Sequence, residues 1–286
     1  MKFAWCCAAL LAAGPALADV PEVPGGDLFG FTDATDTGDP GDKGLSFEWT
    51  GLFGKREGFY RAQALKTEFG VTPAENLFTA FSFFAARHNI SGVPDFDNIN
   101  RIAFDGLSTE IMYRFLTRSA GQPVAAAFSI EPRWARVDGA AGTRVESYSA
   151  EAKLFVDWVI VPDRFYGAFN ANFAPSRQRE KLPDAPWVNS SGTNLSTSFA
   201  WQLSPQVFIG GEVRLLAAFE GAWLNHLVGH AVYAGPHMLI NITDKAALNL
   251  AWTPQVAGRG SAVPDADLDL ENFERHQFRA KLSLAF

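Results

Sequence analysis

Charged residues often stand two positions apart along this sequence, and four such pairs fall in segments that alternate polar with apolar or small residues. Side chains at that spacing fall on one face of a β-strand, because successive residues of a strand point to opposite sides. A face with charges of both signs has two uses: it can line a water-filled conduit that acts on passing solutes, or it can form a packed network of salt bridges. The pairs are Glu131 with Arg133, Glu151 with Lys153, Glu212 with Arg214, and Arg279 with Lys281.

Five further charged residues alternate with apolar neighbours in the same way, which places them on the same kind of face. We therefore predict that all of these residues line the interior of a closed sheet. The mixture of signs argues against a strongly anion-selective or cation-selective pore. The five are Glu48, Glu68, Glu110, Arg114 and Asp157.

The histidines offer the chief alternative chemistry, a hydrolase site at the rim of such a sheet. His88, His226, His230 and His276 all fall near predicted strand ends. However, no histidine has a serine two residues further on, which a serine hydrolase of the membrane phospholipase kind would need. On a strand, His226 and His230 would be about 13 Å apart, too far to share a metal. We predict no catalytic residue, no metal and no cofactor.

Residues 19–43 are rich in Asp, Gly, Pro and Thr and have no repeating apolar face. Asp33, Asp36, Asp39 and Asp42 within this stretch could suggest a calcium loop. Their spacing is by threes, a proline interrupts them, and no glutamate stands at the closing position that an EF-hand requires. We predict an irregular periplasmic arm or plug, solvated and without calcium.

Residues 1–18 have the pattern of a cleaved secretory signal peptide, with a basic start, an apolar run and a small-residue end at Ala18. Cys6 and Cys7 both lie in this leader, so we expect the exported chain to have no thiol. The chain has 24 basic and 31 acidic residues, a net charge of −7 at pH 7. Nucleic acids select basic surfaces, so we expect no nucleic acid partner.

The last nine residues form a strongly amphipathic segment, with Arg279 and Lys281 on one face and apolar side chains on the other. The sequence ends in a phenylalanine on the apolar face. A terminal strand of this kind is typical of bacterial outer-membrane β-barrels, in which the assembly machinery reads it. The predicted assembly signal consists of Phe278, Ala280, Leu282, Leu284 and Phe286.

Residues 44–286 contain twelve such segments of about ten residues, the length at which a tilted strand crosses a bilayer. Burying their charged faces in a soluble core would cost several kcal/mol for each charge, so we expect the apolar faces to point outward, to lipid. We predict an all-β fold, a transmembrane, antiparallel, up-and-down β-barrel of about 12 strands. In the second segment, Phe59 to Val71, the apolar face switches sides, which predicts a bulge near Ala64.

The connections between these segments alternate in length. Those after even-numbered segments are tight, such as 161–163 and 204–206, whereas those after odd-numbered segments are longer, notably 88–103 and 254–273. Outer-membrane barrels have short periplasmic turns and longer external loops, and an even strand count places both chain ends in the periplasm. The link 54–58 is short where a long one is expected.

Four stretches carry a wider resemblance: Gly44–Gly58 (GLSFEWTGLFGKREG), Leu65–Leu77 (LKTEFGVTPAENL), Phe104–Leu116 (FDGLSTEIMYRFL) and Val145–Pro175. Together they resemble a family of proteobacterial outer-membrane proteins described as transporter-like or grouped with the phenol-degradation MetA-pathway proteins. The resemblance implies passage of small molecules, hydrophobic or aromatic compounds among them, across the outer membrane. It carries no established site residue to this chain.

We therefore expect an outer-membrane barrel that acts as a passive channel or transporter for small solutes. Its expected partners are outer-membrane lipid, the barrel-assembly machinery and a small-molecule solute. The alternative is a barrel with a closed lumen, either structural or an outer-membrane enzyme with a rim active site.

Overall fold

A computed structural model describes residues 23–119 and 122–286, so the predicted signal peptide lies outside the described residues. Twelve strands form one closed barrel in which every strand pairs antiparallel with its neighbours in sequence and β1 pairs with β12. The predicted all-β, twelve-stranded antiparallel barrel is confirmed. The strands are β1 Lys43–Phe53, β2 Phe59–Ala74, β3 Leu77–Ser91, β4 Ile99–Leu116, β5 Val124–Val137, β6 Arg144–Val161, β7 Phe165–Glu180, β8 Val188–Ser204, β9 Val207–Glu220, β10 His226–Thr243, β11 Ala246–Gly260 and β12 His276–Ala285.

The barrel wall is apolar outside and polar inside. Phe83, Ile111 and Phe115 point outward and are 51%, 54% and 55% exposed, although they are large apolar side chains. Ser129 and Asn249 point inward and are almost completely buried. This is the inverse of a water-soluble barrel, whose apolar side chains fill the interior, and it suits a wall that contacts lipid. Among the described residues, no helix is long and apolar enough to cross a membrane.

The two ends of the barrel differ in the length of their connections. We call the end that contains residue 43 and the end of β12 the turn end, and the opposite end the loop end. At the turn end the connections are 75–76, 117–123, 162–164, 205–206 and 244–245. At the loop end they are 54–58, 92–98, 138–143, 181–187, 221–225 and 261–275.

The strands extend further toward the loop end than the apolar pattern predicts. The connection expected at 88–103 spans only 92–98, because His88 pairs with Arg101 in the ladder between β3 and β4. Likewise β11 continues to Gly260, so the predicted connection 254–273 becomes 261–275. Backbone hydrogen bonding does not depend on side-chain polarity, so a strand can continue beyond the point at which its apolar face ends.

The predicted bulge near Ala64 is wrong. Ala64 pairs with Thr50 of β1 and with Ala86 of β3, and both ladders are regular there. The apolar pattern of the sequence switches faces although the strand is regular. The reason is that Tyr60, on the inward face near the loop end, packs in an apolar cluster with Ile90 and the loop residue Val93. The irregularity in the β2–β3 pairing lies at the turn end, between Val71 and Ala74.

β12 closes the barrel. On the outer surface, the ring of Phe278 lies 5.4 Å from that of Phe53 on β1 and 6.1 Å from that of Trp252 on β11. Leu282 is paired with Phe47 of β1, so the apolar row continues across the closing pair of strands. Phe286 follows the strand and is 62% exposed. The role of these residues as an assembly signal stays a prediction.

Candidate functional site

Residues 23–42, which we call the inserted segment, precede β1; most of the segment lies inside the barrel, and residues 39–42 are exposed at the turn end. Leu28 and Phe29 are fully buried in an apolar cluster that includes Tyr166 and Phe208 of the barrel wall. This cluster forms at the turn end, where the inward faces of β7 and β9 begin. The segment is therefore packed against the wall, in contrast to the solvated arm that its composition suggests.

Glu212 on β9 holds the inserted segment by its backbone. The N–H of Phe31 lies 2.8 Å from Glu212 Oε2, and the N–H and the hydroxyl of Thr32 each lie 3.1 Å from the same oxygen. These donors would otherwise be buried without a partner, which is costly. A Cβ atom at Gly30 would lie only 2.5 Å from Glu212 Oε1, so a residue without a side chain is needed for this close approach.

Two further wall residues bind the segment from β6 and β7. Asp157 accepts hydrogen bonds from the N–H of Thr35 at 2.7 Å and from the Thr35 hydroxyl at 2.9 Å. The side-chain amide of Asn170 exchanges two hydrogen bonds with the backbone of Asp33, at 2.7 and 2.9 Å. Arg118 forms an ion pair with Asp157, which balances the charge of this carboxylate.

The remaining anchors come from β11 and β12. The side-chain amide of Asn249 donates to the carbonyl oxygens of Asp27 and Phe29, at 2.8 and 2.9 Å. Arg279 donates to the carbonyl oxygen of Gly30. Side chains from five strands thus bond the irregular backbone of residues 27–35, and the Thr72 hydroxyl of β2 donates to the carbonyl oxygen of Thr37. We call the side chains from the five strands the anchor set: Asp157, Asn170, Glu212, Asn249 and Arg279.

Asp27 ties the start of the inserted segment to β12. Its carboxylate lies 2.6 Å from Lys281 Nζ and accepts a hydrogen bond from the Ser283 hydroxyl. Burial acts to raise the pKa of Asp27, but the charge of Lys281 and the two hydrogen bonds outweigh it and hold the pKa below its usual range. Asp27 is therefore ionised at neutral pH.

A cavity of about 690 Å³ remains between the inserted segment and the rest of the wall, chiefly β1 to β6 and β12. We call it the lumen cavity. Four large, inward-facing apolar side chains of the wall line it beside numerous charged groups. It therefore has both an apolar and a polar lining, as small-molecule sites commonly do. The four are Phe78, Phe84, Met112 and Phe155.

Five charged residues on β2, β4, β5 and β6 pair with one another along the wall of this cavity. Lys153 Nζ lies 2.8 Å from Glu131 and 3.4 Å from Glu110. Lys66 Nζ lies 2.6 Å from Glu68 and 3.6 Å from Glu131. Serine hydroxyls from neighbouring strands donate to each of the three carboxylates, which satisfies their remaining acceptor sites. We call this group the ion cluster: Lys66, Glu68, Glu110, Glu131 and Lys153.

Three predicted lining residues stand beside the ion cluster. The guanidinium of Arg133 lies 4.0 Å from the ring centroid of Phe84 and is paired with Asp105. Glu48 lies 2.8 Å from Arg279 across the β1–β12 pair. The Glu151 side chain is 34% exposed and accepts a hydrogen bond from Asn172 at 2.9 Å.

The last two predicted residues have other surroundings. Arg214 donates to Gln277 at 2.7 Å and lies 4.1 Å from the ring centroid of Phe31, so it contacts the inserted segment. Arg114 lies near the turn end, where it donates to the Asn76 side chain at 3.0 Å. The predicted residues are thus divided among the anchor set, the ion cluster, the rest of the cavity wall and the turn end.

The loop end is covered by its own connections. The Tyr60 hydroxyl and the His88 ring each bond, at 3.0 Å, to a carbonyl oxygen of the connection 138–143. The Tyr233 hydroxyl donates to the carbonyl oxygen of Glu274 at 2.6 Å. His88, one of the predicted rim histidines, therefore holds a loop in place.

A serine and a histidine meet inside the barrel on different strands. Ser198 Oγ lies 2.9 Å from His237 Nε2, but His237 Nδ1 has no hydrogen-bond partner among the described residues. A catalytic pair of this type needs a third group to orient the imidazole. The pair is also buried inside the barrel, where the ring of Phe29 lies 6.3 Å from that of His237. A solute therefore has little access to Ser198 and His237.

A family model matches residues 21–286, the whole barrel together with the inserted segment. It describes a family of unknown function, DUF6662. The chain belongs to this family. No curated protein matches the sequence. The resemblance to the phenol-degradation group stays a prediction for this DUF6662 member.

Solved structures share the fold of this DUF6662 barrel, among them two outer-membrane proteins. The COG4313 outer membrane channel from Pseudomonas putida F1 has a TM-score of 0.57 at 10% identity, over 93% of this chain and 100% of that one. The beta domain of the Bordetella autotransporter BrkA has a TM-score of 0.53 at 12% identity, over 87% of this chain and 100% of that one. At these identities the likeness establishes the fold of an outer-membrane barrel and nothing finer.

Sequence reasoning missed several polar residues of the interior. Lys66 alternates with Leu65 and Thr67 just as Glu68 does, so the same pattern could have found it. Asp105 stands at an irregularity of the β3–β4 register, and Asp27 lies in a segment without periodicity. Neither aspartate has a local sequence signal that distinguishes it from a solvated residue.

Proposed function

We propose that this protein is an outer-membrane barrel that passes small solutes through its lumen, with the inserted segment limiting the passage. The observation that carries this proposal is the lumen cavity of about 690 Å³, lined by both charged and aromatic side chains. A barrel with a purely structural interior would fill this space with packed side chains, as eight-stranded barrels do.

The proposed location follows from the polarity of the wall. Outward side chains such as Leu65 at 44% exposure and Phe128 at 48% would contact lipid tails. The turn end would face the periplasm, since short turns and both chain ends lie there in outer-membrane barrels. In this arrangement the signal peptide directs export, and the assembly machinery recognises β12.

The proposed solutes are small and include hydrophobic or aromatic compounds. Phe78, Phe84, Met112 and Phe155 offer an apolar contact surface inside an otherwise polar lumen. The resemblance to the phenol-degradation MetA-pathway group favours the same class. The fold shared with a protein described as an outer membrane channel agrees with a role in passage.

The test is single-channel recording of the purified full-length protein in a planar bilayer, beside a variant that lacks residues 23–42. We expect small conductance steps from the full-length chain and several-fold larger steps from the deletion variant, because removal of the inserted segment widens the lumen. A heat-modifiable band on a gel would establish that each barrel is folded. If folded samples of both proteins give no conductance, a closed structural barrel replaces the proposed channel.

A further inference from the structure

We propose that the lumen cavity binds small organic cations that carry an apolar body, with an arylalkylamine such as phenethylamine as the simplest example. This inference rests on the proposed passage of solutes through the lumen and specifies which solutes the cavity favours.

Carboxylates outnumber cationic groups in the lining of the cavity. A surplus of negative charge in a partly enclosed, low-dielectric space attracts cations and repels anions. The carboxylates are those of Asp27, Asp33, Asp36, Asp42, Glu48, Glu68, Glu110, Glu131 and Glu151. The cationic groups are those of Lys43, Lys66, Arg133, Lys153, Arg279 and Lys281.

Five of the six cationic groups of the lining are already engaged by carboxylates, and the sixth, Lys43, is exposed at the turn end. Lys153 and Lys66 belong to the ion cluster, and Lys281 is paired with Asp27 at 2.6 Å. Arg279 is paired with Glu48, and its hydrogen bond to the inserted segment uses another of its donors. An anionic solute would have to displace one of these bonds, at the cost of an unpaired buried carboxylate.

Several hydrogen-bond acceptors of the lining, in contrast, can accept further hydrogen bonds. Glu151 is the most exposed carboxylate beside the ion cluster, with a side chain 34% exposed and Lys153 no closer than 3.6 Å. Asn172 donates to Glu151, but its own Oδ1 is buried and accepts no hydrogen bond among the described residues. Asp33, on the inserted segment, lies 3.5 Å from Arg279, but its side chain is 37% exposed and can accept further hydrogen bonds. An ammonium group has three donors and no acceptor, which suits such a set.

The apolar body of the solute would contact the aromatic part of the lining. Phe78 pairs with Met112 across β3 and β4, and Met112 clusters with Phe155 of β6. These side chains lie on the same part of the wall as the ion cluster. Lys153 and Phe155 are two positions apart on β6, on one face, so the acceptors near Lys153 and the apolar patch are neighbours. A molecule with a cationic end and a ring could contact both at once.

The test is calorimetric titration of the full-length protein in detergent with three probes that share a benzene ring and a short chain. Phenethylamine carries a positive charge, 2-phenylethanol carries none, and 3-phenylpropionate carries a negative charge at pH 7. We expect phenethylamine to bind at least about tenfold more tightly than 2-phenylethanol, because one charge-assisted hydrogen bond to the ammonium group gives a difference in affinity of that size. We expect 3-phenylpropionate to bind most weakly.

Glu151→Gln should weaken phenethylamine binding about tenfold and leave 2-phenylethanol binding unchanged, because only the charge is removed. Asp33→Asn is the second variant, should Glu151→Gln fail to fold, and is expected to act in the same direction. Glu75→Gln, at the connection 75–76 outside the lining, is the matched control and should change neither affinity.

Equal binding of the three probes, tighter binding of 3-phenylpropionate, or no detectable binding would overturn the cation inference. Unchanged affinity for phenethylamine in both carboxylate variants would do the same. These outcomes are independent of conductance. A barrel that conducts but has no preference for the amine keeps the proposed channel, whereas one that binds the amine but does not conduct keeps the site and loses the channel.

Discussion

The anchor set and the ion cluster are built from the same kind of inward-facing residue, yet their partners differ. Glu212 accepts hydrogen bonds from the backbone of an irregular segment, whereas Glu131 is paired with Lys153 on the next strand. The strand pattern is the same in both places. The partner that an inward carboxylate meets therefore decides its role. A carboxylate that faces the inserted segment holds that segment, whereas one that faces a lysine of a neighbouring strand stabilises the wall.

This difference has an energetic consequence. The ion cluster joins five consecutive strands, β2 to β6, if β3 with its Ser82 hydroxyl is included, so its charges depend on one another within the barrel. The anchor set joins the barrel to the inserted segment, whose residues make no strand of their own. Damage to the ion cluster should therefore weaken the barrel, and damage to the anchor set should free the inserted segment.

Lys153→Met is expected to have the largest effect on stability. It removes the cation that lies between Glu110 and Glu131 and leaves two partly buried carboxylates facing each other. Loss of one partner of a buried ion pair costs about 3 kcal/mol or more. We expect a drop of that size in the free energy of unfolding, measured by urea titration of the barrel in detergent.

The control for this change is Lys181→Met, in the exposed pair that Lys181 forms with Glu146, which should cost less than about 1 kcal/mol. Adding Glu131→Gln to Lys153→Met should recover part of the loss, since it removes one of the unpaired charges. A Lys153→Met barrel as stable as the original would mean that water in the lumen fully replaces the lysine, and the ion cluster would then be solvated lining.

Glu212→Ala is expected to have a smaller effect on stability and a clear effect on conductance. The N–H groups of Phe31 and Thr32 and the Thr32 hydroxyl lose their common acceptor. We expect the inserted segment to be destabilised by about 2 kcal/mol, with water replacing part of the lost bonding. Single-channel recording should then show openings as large as those of the variant without residues 23–42.

Glu220→Ala is the matched control, because Glu220 is an exposed residue at the loop end of the same strand, β9. It should leave the conductance unchanged. If Glu212→Ala gives the original conductance while its barrel is folded, the remaining anchors hold the segment without Glu212. In that case the distinction between the anchor set and the ion cluster would not extend to single residues.

The strands of the wall could be predicted because their signal, the alternation of apolar and polar residues, lies between neighbours in the sequence. Alternation of apolar and polar residues places Phe278 and Leu282 outside and Arg279 inside, and a closed barrel follows from the terminal strand and the repeat of such segments. The error near Ala64 arose because Tyr60 is apolar but faces inward, under a loop that covers it. The alternation of apolar and polar residues along a strand indicates which face has apolar surroundings. At the loop end these surroundings are the covering loop inside the barrel instead of lipid outside it.

The inserted segment could not be predicted, since its information is not local. Thr32 and Glu212 are 180 positions apart, and the bond from Asn249 to the carbonyl oxygen of Phe29 spans 220. Most of these bonds use the backbone of the segment, which every residue type possesses. The sequence therefore marks which wall residues face inward, but it contains no pattern that assigns them to the anchor set or to the ion cluster.

Acidification should produce the smallest of these effects, through Asp27. The pKa of Asp27 is lowered, with burial opposed by the charge of Lys281 and by hydrogen bonds from Lys281 and Ser283. A carboxyl group whose pKa is lower in the folded state stabilises that state above its ordinary pKa of about 3.9. This stabilisation is lost as the pH falls through the lowered pKa. We expect channel openings to become more frequent as the pH is reduced from 7 to about 3, with most of the change below pH 4.

Asp27→Asn separates this carboxyl group from Asp157 and Glu212, which also face the inserted segment. The variant keeps a hydrogen-bonding side chain but has no charge, so its openings at pH 7 should already exceed those of the original protein. As the pH falls through the lowered pKa of Asp27, the two proteins should converge, because the side chain at position 27 becomes uncharged in the original protein as well. If their difference does not narrow as the pH falls, the ion pair with Lys281 does not hold the segment, and its other contacts attach it to the wall.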